Sequence, residues 1–175
     1  MIKQSVAFVG LLTLVGCGMH NSEYASGNKV AYREAPERVF PAVSEATGKK
    51  TFVFKPHDLA WAAYDEQGNR VKVGPAGGGV TSCPETGEDC RTVRGVFQVQ
   101  RKGGADCVSK KYPIGRGGAP MAYCMHFHEG YSIHGSPGVP NGHSSHGCIH
   151  LSLEDARWLN EEFLQVGSTV KVDEY

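Results

Sequence analysis

Residues 131–151 read YSIHGSPGVPNGHSSHGCIHL, with four histidines, four glycines, two prolines and one cysteine, and no ordinary core can be built from them. Glycine and proline interrupt regular elements, so this stretch must run as turns laid over a scaffold supplied by the rest of the chain. Its two ends are apolar enough to enter that scaffold: Tyr131-Ser132-Ile133 reads as a strand delivering His134-Gly135, and Ile149 follows Cys148. Cys148 stands within Ser145-His146-Gly147-Cys148-Ile149-His150. A thiol with imidazoles near it in space, one of them distant in sequence, is the arrangement cysteine acyl transfer requires: the sulfur attacks, and an imidazole takes the proton and later returns it. A free cysteine is more often a small buried hydrophobe, but the glycine and histidines around Cys148 suit a reactive thiol, whose ordinary pKa of about 8.5 such neighbours can lower.

These residues resemble the active-site signature of the L,D-transpeptidases, the YkuD-type family: His-Gly, a glycine-containing loop, Ser/Thr-His-Gly-Cys and an apolar residue, usually followed by Arg or Asn. The matching residues are His134-Gly135, Gly142, Ser145-His146-Gly147-Cys148 and Ile149. The likeness extends to Leu59–Asp65, to Cys90-Arg91-Thr92 through Val96-Phe97, and to the closing helix and strand. Two departures stand out: ten residues separate His134 from Ser145, shorter than is usual for the family, and His150 occupies the Arg/Asn place.

The resemblance implies a fold and a set of roles. The fold is α+β and β-rich, a mixed β-sandwich of the YkuD type with one C-terminal helix. Cys148 is the nucleophile and His134 the base, while His146 orients the loop or contacts substrate. Gly147, lacking a side chain, lets the backbone approach the substrate, and amides from His146 to Cys148 form the oxyanion hole. Ser145, His150, Tyr131 and Gly135 are expected to touch substrate; His126, His128 and His143 are read as solvated or structural. The implied reaction needs no metal or organic cofactor. The Cys148 thiolate attacks the carbonyl joining the third residue of a peptidoglycan stem tetrapeptide to D-Ala, and D-Ala leaves. The thioester then passes to an amine, giving a 3→3 crosslink or attaching a protein acceptor. Transfer to water instead would make an L,D-carboxypeptidase or peptidoglycan hydrolase. A rival of another class is a zinc site: if residues 146–150 are extended, His146, Cys148 and His150 share a face, and His134 would complete four ligands.

The remaining chain sets the context. A length of 175 residues, 40% of them hydrophobic, supports one core. Eighteen Lys plus Arg balance eighteen Asp plus Glu, and no basic patch interleaved with aromatics appears, so nucleic acid is excluded as an expected partner. Lys3 followed by the uncharged run Val6–Gly16 reads as an export signal, too short for a span of about 20 apolar residues. Leu14-Val15-Gly16-Cys17 resembles a bacterial lipobox, which makes 1–16 a lipoprotein signal peptide and Cys17 the lipidated mature N-terminus. Residues 17–50, polar with Pro36 and Pro41, read as a tether with at most a short helix within Glu34–Ala46; 51–175 is the catalytic domain. The expected location is the cell envelope, facing the periplasm, with Gly18 after Cys17 favouring the outer membrane. Setting Cys17 and Cys148 aside leaves Cys83, Cys90, Cys107 and Cys124, which in an oxidising compartment imply two disulfides with three connectivities. The favoured pairing is Cys83–Cys90, closing a small Pro- and Gly-containing loop, with Cys107–Cys124 tying 103–106 to a strand at Met121–Phe127. No C-x₂-C pair supports zinc at these four.

Thr51–Phe54, Leu59–Tyr64, Lys110–Ile114, Met121–Phe127 and Thr169–Val172 read as strands, and alternation adds Arg70–Val73 and Val93–Gln100, with a turn at 65–69 making a hairpin. Trp61 is expected in the core. Gly74–Gly79 reads as loop; no Lys-Ser/Thr or helix start follows it, so it is not a phosphate cradle. Ser152 with Asp155 suggests a capping box opening a helix whose Ala156, Leu159 and Phe163 face inward and which Gly167 ends. The N-terminal reading carries its own test: protein made in a bacterial host should bear a lipid on Cys17, and Cys17→Ala should release it from membranes. An intact, unmodified N-terminus by mass spectrometry would defeat it.

Overall fold

The computed structural model describes residues 36–111, 119–137 and 142–175. The expected signal peptide, Cys17 and most of the expected tether lie outside the described residues, as do 112–118, which hold most of the strand expected at Lys110–Ile114, and 138–141 of the loop before Ser145.

Two sheets form the molecule. The first has the order β3-β2-β1-β9-β4, from Arg70–Pro75 (β3), Ala60–Tyr64 (β2), Thr51–Lys55 (β1), Thr169–Val172 (β9) and Gly95–Gln98 (β4). The second runs Arg101–Lys102 (β5), Met125–His128 (β6), Tyr131–Gly135 (β7) and Ile149–Leu151 (β8). Both are mixed: β1 pairs antiparallel with β2 but parallel with β9, and β7 pairs antiparallel with β6 but parallel with β8. The mixed β-sandwich expected from the sequence is the fold observed.

Strand alternation explains the layers. Phe52, Phe54, Trp61, Ala63, Val170 and Val172 face the second sheet, which answers with Met125, Phe127, Ile133, Ile149 and Leu151. Trp61 is fully buried and stacks on Phe52 with ring centroids 5.7 Å apart, the core position expected for it. The crossing between sheets is short: Val99 N–H still bonds Ser168 O in the first layer, and Gln100 N–H already bonds His126 O in the second. That bend, and Gly95 with φ +139° at the other end, cut the predicted Val93–Gln100 strand to Gly95–Gln98. Likewise Met121–Phe127 becomes regular only at Met125, because Tyr123 takes φ +59° just before the disulfide at Cys124.

The C-terminal helix forms as capped. Ser152 Oγ accepts the Asp155 N–H at 3.0 Å and opens α2, Leu153–Trp158, which continues as a π-helical turn over Leu159–Phe163. Only half the capping box is present, since the Asp155 carboxylate pairs with Lys72 at 2.7 Å. The helical turn ends at Leu164 (φ −84°, ψ 141°), three residues before Gly167, whose φ of +92° serves the turn into β9.

Residues 36–50 depart from a free tether. The short helix expected within Glu34–Ala46 forms at Pro36–Val39 (α1), and Phe40, 2% exposed, packs on the outer face of the first sheet with Val53, Ala60, Ala62 and Tyr64. Tyr64 Oη donates to Pro41 O at 3.0 Å, and Arg70 donates to the carbonyls of Glu37 and Phe40. This cover explains why β1 and β2 read as unbroken apolar runs: both their faces are buried. The arm should therefore contribute to stability, with Phe40→Ala costing about 3–5 kcal/mol in denaturant unfolding; a loss below about 0.5 kcal/mol would show the arm detached in solution.

Candidate active site

The parallel β7–β8 pair sets the site. Its register aligns Ile133 with Ile149, His134 with His150 and Gly135 with Leu151. Ile133, Ile149 and Leu151 point into the core, so alternation turns Ser132, His134, Cys148 and His150 to the opposite face. His134 is 4% exposed and its ring meets that of His150 edge-on, centroids 4.6 Å apart. Cys148 is the free thiol among the described residues, half-buried, with Gly130 O 3.9 Å from its sulfur.

Burial governs the electrostatics. It pushes the Cys148 thiol up to about 11, against a smaller lowering by a backbone hydrogen bond from Ser132. It holds His150 down to about 4, with His134 adding to the effect, and lowers His134 as well, opposed by the hydrogen bond to Gly135. The resting site is thus neutral thiol and neutral imidazoles, where the sequence suggested a thiol already activated by its neighbours. His134 Nδ1 lies 3.1 Å from Gly135 O. A carbonyl only accepts, so Nδ1 carries the hydrogen and Nε2 keeps the lone pair a base needs.

Gly135, expected to touch substrate, is instead buried: a Cβ there would lie 2.9 Å from Leu153 Cδ2, and its carbonyl orients His134. Ser145, also expected at substrate, is 5% exposed and works inside the turn, donating to Cys148 O at 2.6 Å and accepting from Gly147 N–H at 3.0 Å. That bond occupies the Gly147 amide, which was expected to serve the oxyanion. Gly147 is required for another reason. Its φ is +118°, and a Cβ would stand 2.5 Å from Cε1 of Tyr131. Tyr131 thus seats the turn, and it also lines a cleft of about 500 Å³ with Asp89, Arg91, Val93 and Tyr175. His150, also expected at substrate, is held neutral near neutrality, burial pushing it down to about 4.

His146 donates from Nε2 to Glu85 Oε2 at 2.9 Å. The zinc arrangement of His134, His146, Cys148 and His150 is not assembled. Among the described residues, the clusters close enough for a metal are Cys107, Cys124, His126 and Cys83, Glu85, His146. Each contains disulfide sulfur, for the pairs Cys83–Cys90 and Cys107–Cys124 are both formed. Of the structural histidines, His143 accepts from Gly78 N–H at 3.0 Å, His128 packs on Phe97 and Tyr131, and His126 is buried.

Sequence reasoning missed the glycine run. Gly77 and His150 exchange backbone hydrogen bonds of 3.1 and 2.8 Å, Ser144 and Ser145 N–H bond Gly78 O, and Val80 N–H bonds Ser145 O. A side chain on Gly78 would strike Tyr175 Oη, Thr92 Oγ1 and Phe54, and one on Gly79 would overlap Cys90 O. Three consecutive glycines were the available signal for such close approach.

A family model described as the YkuD L,D-transpeptidase catalytic domain matches residues 48–172. The chain belongs to the YkuD L,D-transpeptidase catalytic domain family. Solved structures agree on the fold. An L,D-transpeptidase (residues 123–326) from Xylanimonas cellulosilytica superposes with TM-score 0.63 at 22% identity, covering 76% of this chain and 64% of that one. One from Stackebrandtia nassauensis gives 0.60 at 23%, covering 75% and 58%. L,D-transpeptidase 3 from Mycobacterium tuberculosis, solved with a faropenem-derived adduct, gives 0.58 at 22%, covering 72% and 60%. The chain thus spans roughly six-tenths of the length of those chains. No curated protein sequence matches it.

The buried histidines predict how stability follows pH. His126 and His150 hold folded values near 4, below the roughly 6.5 of an unfolded chain. Between those values the unfolded state binds protons the folded state refuses, so stability rises with pH across the window. It should be fully present above about pH 6.5 and be lost as pH falls towards 4. Thermal midpoints at constant ionic strength read this directly, and a flat profile from pH 7 to 4 would mean these imidazoles are not held neutral.

Proposed function

We propose that this protein is a peptidoglycan L,D-transpeptidase, in which Cys148 forms a thioester with a donor stem tetrapeptide and passes it to an amine. The observation that supports the reading is the β7–β8 register, in which Cys148, the residue before Ile149, falls on the same sheet face as a buried His134 whose Nδ1–H···O=C bond to Gly135 leaves Nε2 as acceptor.

Because thiol and imidazole are both neutral at rest, deprotonation accompanies attack. As the Cys148 sulfur bonds the carbonyl carbon, its proton passes to His134 Nε2, and the carbonyl oxygen becomes an oxyanion. With the Gly147 amide bound to Ser145, the charge falls to the other amides of the turn, that of Cys148 among them. The tetrahedral species collapses with the carbon–nitrogen bond breaking, and D-Ala leaves as an amine with the proton returned by His134. An acceptor amine then attacks the thioester, His134 takes its proton, and the sulfur leaves, completing a 3→3 crosslink or attachment of a protein. Water in place of the amine gives carboxypeptidase action; a positioned amine outcompetes it through effective concentration.

The setting follows from the same reading and from the N-terminal sequence: a lipoprotein anchored through Cys17, facing the periplasm, in the outer membrane, with stem peptides as substrate. Among the described residues, no helix is long and apolar enough to cross a membrane.

Disaccharide tetrapeptide incubated with the full chain and followed by mass spectrometry should give a dimer with loss of D-Ala. Cys148→Ala should abolish turnover with the fold retained, and His134→Ala should cost at least about a hundredfold. The rate should stay high below the ordinary histidine pKa, since burial lowers that of His134. Wild-type turnover in Cys148→Ala would refute the reading; tripeptide alone at high acceptor concentration would assign the hydrolytic alternative.

A further inference from the structure

The loop from Cys83 to Cys90 reaches the nucleophile turn from more than fifty positions earlier in the chain, and no step of the chemistry above uses it. It is a stiff element. The disulfide brings its ends to a Cα–Cα distance of 5.4 Å, Cys83 N–H bonds Glu88 O at 2.8 Å, and Gly87 N–H bonds Cys83 O at 2.8 Å. Two parts of it bear on the turn. Glu85 Oε2 accepts the hydrogen bond from His146 Nε2 at 2.9 Å, and the Cys83 sulfur, the Glu85 carboxylate and a His146 ring nitrogen all lie within 4.8 Å of one another. At the loop's other end, the Cys90 carbonyl sits against Gly79, where a Cβ would also come 2.8 Å from Gly147 Cα.

His146 is two residues before the nucleophile, and its ring is held from outside the motif. The Glu85 and His146 side chains are 46% and 27% exposed, so the pair adds little to global stability. What such a bond can do is select one orientation of a turn built from Ser145, His146 and the left-handed Gly147. A carboxylate oriented on an imidazole in this way fixes both the ring's rotamer and which nitrogen carries the hydrogen. We propose that Glu85 is a positioning residue for the reaction: held by the Cys83–Cys90 disulfide, it accepts the Nε2–H of His146 and so fixes the turn that aims the Cys148 sulfur and amide. The proposal rests on Cys148 being the acyl-transfer nucleophile. Its effect falls on the chemical step, because misaiming the attacking atom by about 1 Å costs on the order of a hundredfold.

The test uses the full chain with Glu85→Ala, Glu85→Gln, His146→Ala, the Glu85→Ala/His146→Ala pair, and Cys83→Ser/Cys90→Ser. Glu85→Ala should lower kcat on disaccharide tetrapeptide by about tenfold to a hundredfold with KM within about twofold. Glu85→Gln should recover most of that loss, because its amide oxygen still accepts from Nε2–H. The double variant should be no slower than the slower single variant, and opening the disulfide should lower kcat in the same direction. Unchanged kcat in Glu85→Ala, no rescue by Gln, or additive losses in the pair would overturn the proposal. A second measurement stands apart from turnover: long-range 1H–15N spectra of the histidine rings should lose the Nε2–H pattern of His146 in Glu85→Ala while His134 and His150 keep theirs. If wild-type protein fails to turn over tetrapeptide, the enzymatic reading fails by itself. An unchanged His146 spectrum in Glu85→Ala would sink the positioning claim whatever the substrate.

Discussion

Backbone hydrogen bonding between Gly77–Val80 and Ser144–His150 is the constraint on which the site depends. The Cys148 turn contains too little apolar surface to hold itself by burial, and its polar backbone groups need partners once they leave water. The glycine segment supplies them, and it fits only because it has no side chains: Tyr175, Thr92 and Phe54 close on Gly78, and the Cys90 carbonyl and Gly147 close on Gly79. The turn is therefore clamped between that segment and the ring of Tyr131, which fills the space a Cβ on Gly147 would need. Ser145 completes the clamp from within, through its bonds to Gly147 N–H and Cys148 O.

The second consequence is electrical. Packing the turn against β7 buries a thiol and two imidazoles on one sheet face without any charged partner among them, so each is held in its neutral form. An ion pair formed in advance would leave the sulfur a thiolate at rest, open to oxidation and alkylation. A neutral thiol is shielded from both. The Gly135 carbonyl matters to the His134 imidazole it orients, because it decides which ring nitrogen carries the hydrogen and which keeps its lone pair.

The sandwich around this site is assembled by long-range connections. β9 inserts between β1 and β4, and β8 adds parallel to β7, so the last quarter of the chain completes both sheets. The two disulfides act locally by comparison, spanning 7 and 17 residues. The loop closed by Cys83–Cys90 carries Glu85 to His146, two residues before Cys148.

Much of this was legible in the sequence, for physical reasons that operate over short distances. Apolar runs revealed β1 and β2, short strand-like patterns β3, β7 and β9, Ser152 announced the start of α2, and the histidine, glycine and cysteine spacing marked the candidate site, because a strand pattern, a cap and a motif are each local. What the sequence did not reveal was set by contacts between distant segments. The packing of Phe40 on the first sheet joins residues some twenty positions apart, the glycine run meets a turn some seventy positions later, and Glu85 finds His146 across sixty-one. Composition could identify Gly77–Gly79 as free of side chains but not what would press against them. The neutral state of the thiol and the histidines was likewise decided by tertiary structure, since a pKa follows from the burial that folding creates and not from neighbours in the chain.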